Sequence, residues 1–114
     1  MCKILIVDDE YANRLLLKEI LKYSNHKLLE ASNGEEALRI AESQRPDCIL
    51  MDIQMPIMDG IEATLEIRKR CNTKIFGLTA NTHFIDKDGI FDEILSKPIN
   101  IKKLHKIIED VYKS

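Results

Sequence analysis

Short apolar runs that do not alternate with polar residues, each closed by a polar side chain, constrain this chain most. Lys3-Ile4-Leu5-Ile6-Val7 runs straight into Asp8-Asp9, and Cys48-Ile49-Leu50-Met51 runs into Asp52. Thr79 closes Ile75-Phe76-Gly77-Leu78, and Lys97 closes Ile94-Leu95-Ser96. A strand with one wet face alternates, whereas an unbroken apolar run belongs to a strand covered on both faces, as in a parallel sheet between helices. Laid parallel, these four strands deliver three carboxylates, a hydroxyl and an ammonium to one edge, where open α/β sheets bind ligands.

Between the runs lie helical patterns. Ala12, Leu15, Leu16, Ile20 and Leu21 recur at helical spacing after Asp9 and Glu10, and Ser24-Asn25-His26 ends that helix. Lys27–Ala31 is the second strand, and Asn33-Gly34-Glu35-Glu36 opens a helix through Ala37, Leu38 and Ala41 that stops before Pro46. The third strand spans Asp47–Met51, and residues 54–60 form a loop in which Asp59 is a cap or turn former. Ile61, Leu65 and Ile67 mark a helix reaching Arg70, Lys74–Leu78 is the fourth strand, and Phe91–Leu95 is the fifth. Ile101, Leu104, Ile107, Ile108 and Val111 stripe the last helix. Strands alternating with helices require right-handed crossovers and a doubly wound sheet. Five such units suit the flavodoxin-like strand order 2-1-3-4-5, in which the first and third strands are neighbours at the switch point. Asp8, Asp9 and Asp52 then converge in one crevice.

At 114 residues and 45% hydrophobic composition, the chain is expected to form one domain, residues 1–114, with a core that needs no staples. A net charge of −2 with mixed signs offers no footprint for nucleic acid or an acidic membrane. The basic sets Arg68-Lys69-Arg70 and Lys102, Lys103, Lys106 read as solvated helix faces. No run approaches a membrane span, and Cys2, Cys48 and Cys71 fit neither a disulfide framework nor a zinc pattern, so a cytoplasmic location is expected. Cys48 reads as a small apolar filler of its strand.

Three carboxylates within about 5 Å repel by several kcal/mol at an effective dielectric near 20, so they need a cation or must take up protons. Hard oxygen ligands with room for water and a phosphate oxygen suit Mg²⁺ better than zinc, and His26, His83 and His105 show no ligand spacing. Lys97 as a point charge and Thr79 as a hydroxyl donor are suited to hold phosphoryl oxygens. The implied chemistry is phosphoryl transfer to a carboxylate.

Five phrases in order resemble a known family: Ile6-Val7-Asp8-Asp9, Asn33-Gly34-Glu35-Glu36-Ala37, Met51-Asp52-Ile53-Gln54-Met55-Pro56-Ile57-Met58-Asp59-Gly60, Leu78-Thr79-Ala80-Asn81 and Leu95-Ser96-Lys97-Pro98. The chain resembles a two-component response-regulator receiver domain over nearly its whole length. The resemblance implies that Asp52 accepts the phosphoryl group, and that Asp8, Asp9, Asp52 and the backbone carbonyl of Gln54 hold Mg²⁺. It also implies that Thr79 and Lys97 bind phosphoryl oxygens, that small Ala80 leaves the acceptor accessible, and that the peptide before Pro98 is cis. The donor is then a phosphohistidine on a histidine kinase or histidine phosphotransfer protein. The resemblance further implies that the chain is not a turnover enzyme but takes part in its own phosphorylation and dephosphorylation. Its central phrases look most like receivers of hybrid kinases and phosphorelays.

Two departures stand out. Seventeen residues separate Thr79 from Lys97, about one helical turn fewer than usual, so the fourth helix is expected to be a stub, a shifted helix or a loop. Ile94 stands where receivers carry a switching aromatic; Phe84 or Phe91 could stand in for it, although packing in the core is the simpler role. The triplet Leu15-Leu16-Leu17 cannot all face inward, which leaves a leucine as a partner patch or at the sheet interface. With no output domain in the chain, its effect is expected to pass through protein–protein contacts. Two other readings are a receiver-like binding module that no longer switches and a Mg²⁺-dependent aspartyl-phosphate phosphatase. The phosphatase would place a second acid where Gln54 stands.

Overall fold

The computed structural model describes residues 2–22 and 25–113. Chain order is β1 (Lys3–Val7), α1 (Tyr11–Leu21), β2 (Lys27–Ala31), α2 (Gly34–Gln44), β3 (Cys48–Asp52), α3 (Gly60–Arg70), β4 (Lys74–Thr79), β5 (Glu93–Ser96) and α4 (Ile101–Lys113). All four strand pairings are parallel and the spatial order is β2-β1-β3-β4-β5. This is the expected flavodoxin-like α/β sheet. The expected stop at Ser24 lies outside the described residues.

Two apolar layers flank the sheet. On one side Leu5, Val7, Ile49, Met51 and Ile75 meet Ala37 and Ala41 of α2 and Ala63 and Ile67 of α3. On the other, Ile4, Ile6, Leu50, Phe76 and Leu78 meet Leu17 and Leu21 of α1 and Leu104, Ile107 and Ile108 of α4. β1 and β3 feed both layers from successive residues, which is why their sequences show no alternation. Cys48 is a fully buried member of the second layer, as its strand position implies, and burial raises its thiol far above the ordinary range.

Helix starts follow local chemistry. Asn33 Oδ1 accepts from Glu36 N–H at 2.9 Å, and Asp59 Oδ1 accepts from Glu62 N–H at 2.9 Å, so each satisfies an orphan donor of α2 or α3. Helix rotation corrects two sequence expectations. In α1 the inward residues are Leu17 and Leu21, whereas Leu15 is 40% and Leu16 54% exposed. In α3 the inward residues are Gly60, Ala63, Thr64 and Ile67, leaving Ile61 and Leu65 outside. Small residues face the sheet because α3 lies close to it. A Cβ on Gly60 would stand 2.3 Å from the Asp52 carbonyl oxygen.

No helix forms between β4 and β5 among the described residues; residues 80–92 are turns and bends. Short polar side chains take the backbone donors instead: Thr79 Oγ1 accepts from Asn81 N–H, Asn81 Oδ1 from His83 N–H, and Asp86 from both Ile90 and Phe91 N–H. Such bonds compete with a helical ladder. Phe91 enters the core, with Phe84 edge-on to it at 6.4 Å between centroids. Both rings pack over the sheet where the missing helix would have lain.

Candidate phosphoryl-transfer site

Register builds the site. Val7 pairs with Met51, so Asp8, the next residue after β1, emerges beside Asp52, the last residue of β3. Asp52 pairs with Leu78, and Thr79 pairs with Ser96, so Thr79 and Lys97 complete the same edge. Backbone bonds continue the ladder past the strands: Asp8 N–H donates to Ala31 C=O (3.1 Å), Ile53 N–H to Leu78 C=O (3.0 Å) and Lys97 N–H to Thr79 C=O (2.8 Å). The peptide between Lys97 and Pro98 is cis, as the resemblance implied.

Lys97 Nζ stands 3.3 Å from Asp8 Oδ2 and 3.3 Å from Asp52 Oδ1. Both carboxylates are nearly inaccessible, at 1% and 4% exposure, and Asp9 stands exposed at the rim. One carboxylate oxygen from each of Asp8, Asp9 and Asp52 lies within 4.8 Å of the others. Asp8 Oδ1 accepts from Glu10 N–H (2.9 Å), which holds its other oxygen towards Lys97. Asp52 Oδ1 also accepts from Gln54 N–H (3.4 Å), while Oδ2 accepts no hydrogen bond among the described residues. One oxygen of the buried carboxylate is therefore held and the other is open.

Burial raises Asp52, the Asp8 charge raises it further, and Lys97 only partly offsets them, leaving Asp52 at about 6. For Lys97, burial pulls down, but Asp52 and Asp8 together outweigh it, so the ammonium is held above its ordinary value. The site is a one-cation, three-anion cluster short of positive charge.

Thr79 is buried and its hydroxyl donates to Gln54 Oε1 at 3.4 Å, across the mouth of the crevice. All the side chains expected to act together thus share one site. Ala80 is exposed beside it. His83 is exposed on the loop beyond, and among the described residues its one hydrogen bond towards the site runs from its backbone N–H to Asn81 Oδ1. Sequence reasoning missed Arg14. Its Nη1 donates to the Asp8 backbone carbonyl at 2.8 Å and its Nε to Glu30 Oε1 at 3.0 Å, bracing the β1 end from α1. Nothing in the spacing of Arg14 and Glu30 announces that contact, which depends on the rotation of α1.

Comparison with known proteins agrees with this geometry. The family model described as response regulator receiver domain matches residues 4–109. The hybrid signal transduction histidine kinase K of Dictyostelium discoideum is 38% identical over 94% of this chain and 10% of its own length. The alkaline phosphatase synthesis transcriptional regulatory protein PhoP of Bacillus subtilis is 35% identical over 96% of this chain and 48% of its own. The chain therefore spans from a tenth to about half of these curated relatives. Among solved structures, the response regulator protein TrrA of Thermotoga maritima, in complex with Mg²⁺ and BeF, superposes with a TM-score of 0.90 at 38% identity. That match covers 97% of this chain and 99% of that one. A buried strand-end aspartate bonded to a lysine, a family match over almost the whole chain and this superposition lead to one conclusion: the chain belongs to the response regulator receiver domain family, the phosphoacceptor module of two-component signalling.

Proposed function

We propose that Asp52 is the acceptor of the phosphoryl group, with Asp8, Asp9, Asp52 and the Gln54 backbone carbonyl holding Mg²⁺ and with Thr79 and Lys97 receiving phosphoryl oxygens. The observation that carries this reading is Lys97 Nζ at 3.3 Å from both Asp8 and Asp52 at the switch point of the sheet. Three clustered carboxylate oxygens, hard donors short of positive charge, fit Mg²⁺, the ion held by the TrrA complex. When bound, that ion supplies charge neutralisation for the carboxylates and the incoming phosphoryl oxygens.

The chain's own residues do the rest. Asp52 attacks as the carboxylate; the phosphorus–nitrogen bond of a phosphohistidine breaks as the phosphorus–oxygen bond to Asp52 forms, and the imidazole leaves with the electron pair. With its pKa near 6, Asp52 is mostly ionised above pH 7 even with no added cation. Lys97 follows the charge from the carboxylates onto the phosphoryl oxygens, and the Thr79 hydroxyl exchanges its long bond to Gln54 for one to the new anion. Transfer is stoichiometric, and water later returns the aspartate.

A histidine kinase or histidine phosphotransfer protein is the proposed donor. Tyr11, Leu15 and Leu16 are exposed on α1, and Leu16 lines a hollow of about 160 Å³ with Asp8, Lys97 and Pro98. A helical donor set on this face brings its histidine over Asp52. The output passes through protein contacts in the cytoplasm; three unpaired cysteines support that compartment, and no helix among the described residues is long and apolar enough to cross a membrane. The clustered carboxylates with Lys97 at 3.3 Å support phosphorylation over a module that merely binds.

Intact-protein mass spectrometry after incubation with Mg²⁺ and a small acyl-phosphate donor tests the assignment. Wild type is expected to gain one phosphoryl group and Asp52→Ala none. Equal gain in both proteins would reject Asp52 as the acceptor.

A further inference from the structure

Helix α3 turns an apolar stripe to solvent. Ile61 is 37% and Leu65 45% exposed one turn apart, and the stripe continues to Ile57, 75% exposed and held at φ +71°, a region that β-branched residues rarely adopt. Phe84 and Ile61 share a groove of about 510 Å³ with Ile53, Met55 and Pro56, and Ile85, next in sequence to Phe84, is 73% exposed. Single exposed apolar residues are ordinary, but a run of them along one helix face, continued by an apolar groove, marks an interaction site. Residues 80–92 are coil, so on this flank no helix among the described residues stands beside α3 to keep another helix away.

Charge around the stripe identifies the occupant. Asp59 and Glu62 stand at the N-terminal end of α3. Lys69 and Arg70 stand exposed at the other end, while also pairing with Glu66 of their own helix at 3.2 and 3.0 Å. An apolar stripe with acids at one end and bases at the other is its own complement under a two-fold rotation. A partner of uniform charge would be repelled at one end.

We propose that a second copy of this chain docks here, with α3 antiparallel to α3, Leu65 lying against Leu65 of the other copy near the two-fold axis and Lys69 facing its Glu62. An eleven-residue helix is about 16 Å long, so the contact falls short of the roughly 800 Å² per partner of a standard interface. Association is therefore weak and concentration-dependent. This surface is independent of the phosphoacceptor assignment.

Sedimentation velocity on the unphosphorylated chain, from about 10 µM to about 1 mM, is the test. Wild type is expected to move from the 13.2 kDa monomer towards twice that mass, and Leu65→Glu to remain a monomer throughout. Glu62→Lys and Lys69→Glu each set like charges across the two-fold and are expected to weaken association about tenfold. The double variant reverses both signs and is expected to restore it. Circular dichroism confirms that each variant is folded. A wild type that stays monomeric at about 1 mM, a Leu65→Glu protein that still dimerises, or a double variant no better than its parents overturns the pairing.

Discussion

Asp52 sits where a carboxylate is least at ease: 4% exposed, beside the charge of Asp8, with its pKa at about 6 against the ordinary 3.8. The folded pKa lies above the unfolded one, so the folded chain binds this proton more tightly. The stability tied to that proton is complete below about pH 4 and is lost as pH rises through 6. Ionised Asp52 therefore costs on the order of 2–3 kcal/mol at neutral pH in the absence of a cation. Asp52→Asn removes the charge and leaves Lys97 paired with Asp8. In EDTA the variant is expected to exceed wild type by about 2 kcal/mol at pH 7.5, the gain fading towards pH 4. Urea unfolding at the two pH values measures it, and a gain independent of pH would show that Asp52 is not the strained group. The same repulsion gives the site its demand for positive charge. A residue that weakens the fold until it is neutralised is suited to report what binds it.

At the scale of elements, the segment between β4 and β5 shows how a sheet face is covered without a helix. Arg68 reaches out of α3 and donates Nε and Nη2 to the Ile90 carbonyl, Nη1 to the Thr73 carbonyl (2.7 Å) and Nη2 to Asp92 (2.8 Å); Asp92 in turn accepts from Ile75 N–H. Burial pushes Asp92 up, but Arg68 and the other partners outweigh it and hold the carboxyl below its ordinary value. Gly77 leaves the space filled by Phe91 and Ile94, because a Cβ there would stand 3.1 and 2.9 Å from their side chains. Arg68→Ala removes the brace and strands two carbonyls, an expected loss of about 2 kcal/mol with faster amide exchange confined to residues 80–92 and β5. Exchange unchanged in that segment would show that the aromatic packing alone holds it. The strands were legible because a two-sided sheet writes itself as unbroken apolar runs, and their polar ends showed Asp8, Asp52, Thr79 and Lys97 directly. Short spacing betrayed the lost helix, but its replacement was hidden, since Arg68 reads as one of three surface bases until the fold brings Ile90 and Asp92 to it. Helix rotation was illegible for a related reason. Leu15, Leu16, Leu17, Ile61 and Leu65 are all apolar, and only the packing of the whole sheet decides which of them turn inward.

For the whole molecule, the carboxylate cluster exists only when the sheet is complete. Asp8 and Asp52 are separated by most of two crossover units, and Lys97 follows only after β4 and β5 have joined the far side. An unfolded chain keeps these groups apart, so a divalent cation that bridges them binds the folded state and stabilises it by mass action. At ten times its dissociation constant Mg²⁺ is expected to add about 1.4 kcal/mol, which for a domain of this size raises the thermal midpoint by about 5 °C. Asp9→Asn tests the linkage most cleanly. Asp9 is exposed and belongs to neither apolar layer of the core, yet it supplies one of the three clustered oxygens. The variant should unfold near the wild-type temperature in EDTA and lose most of the Mg²⁺-dependent rise. NaCl at matched ionic strength, which only screens the repulsion, should produce a much smaller rise in either protein. If Asp9→Asn kept the full response, or if NaCl reproduced it, the cation would be acting by general screening, and the convergence of β1 and β3 would not form a metal centre.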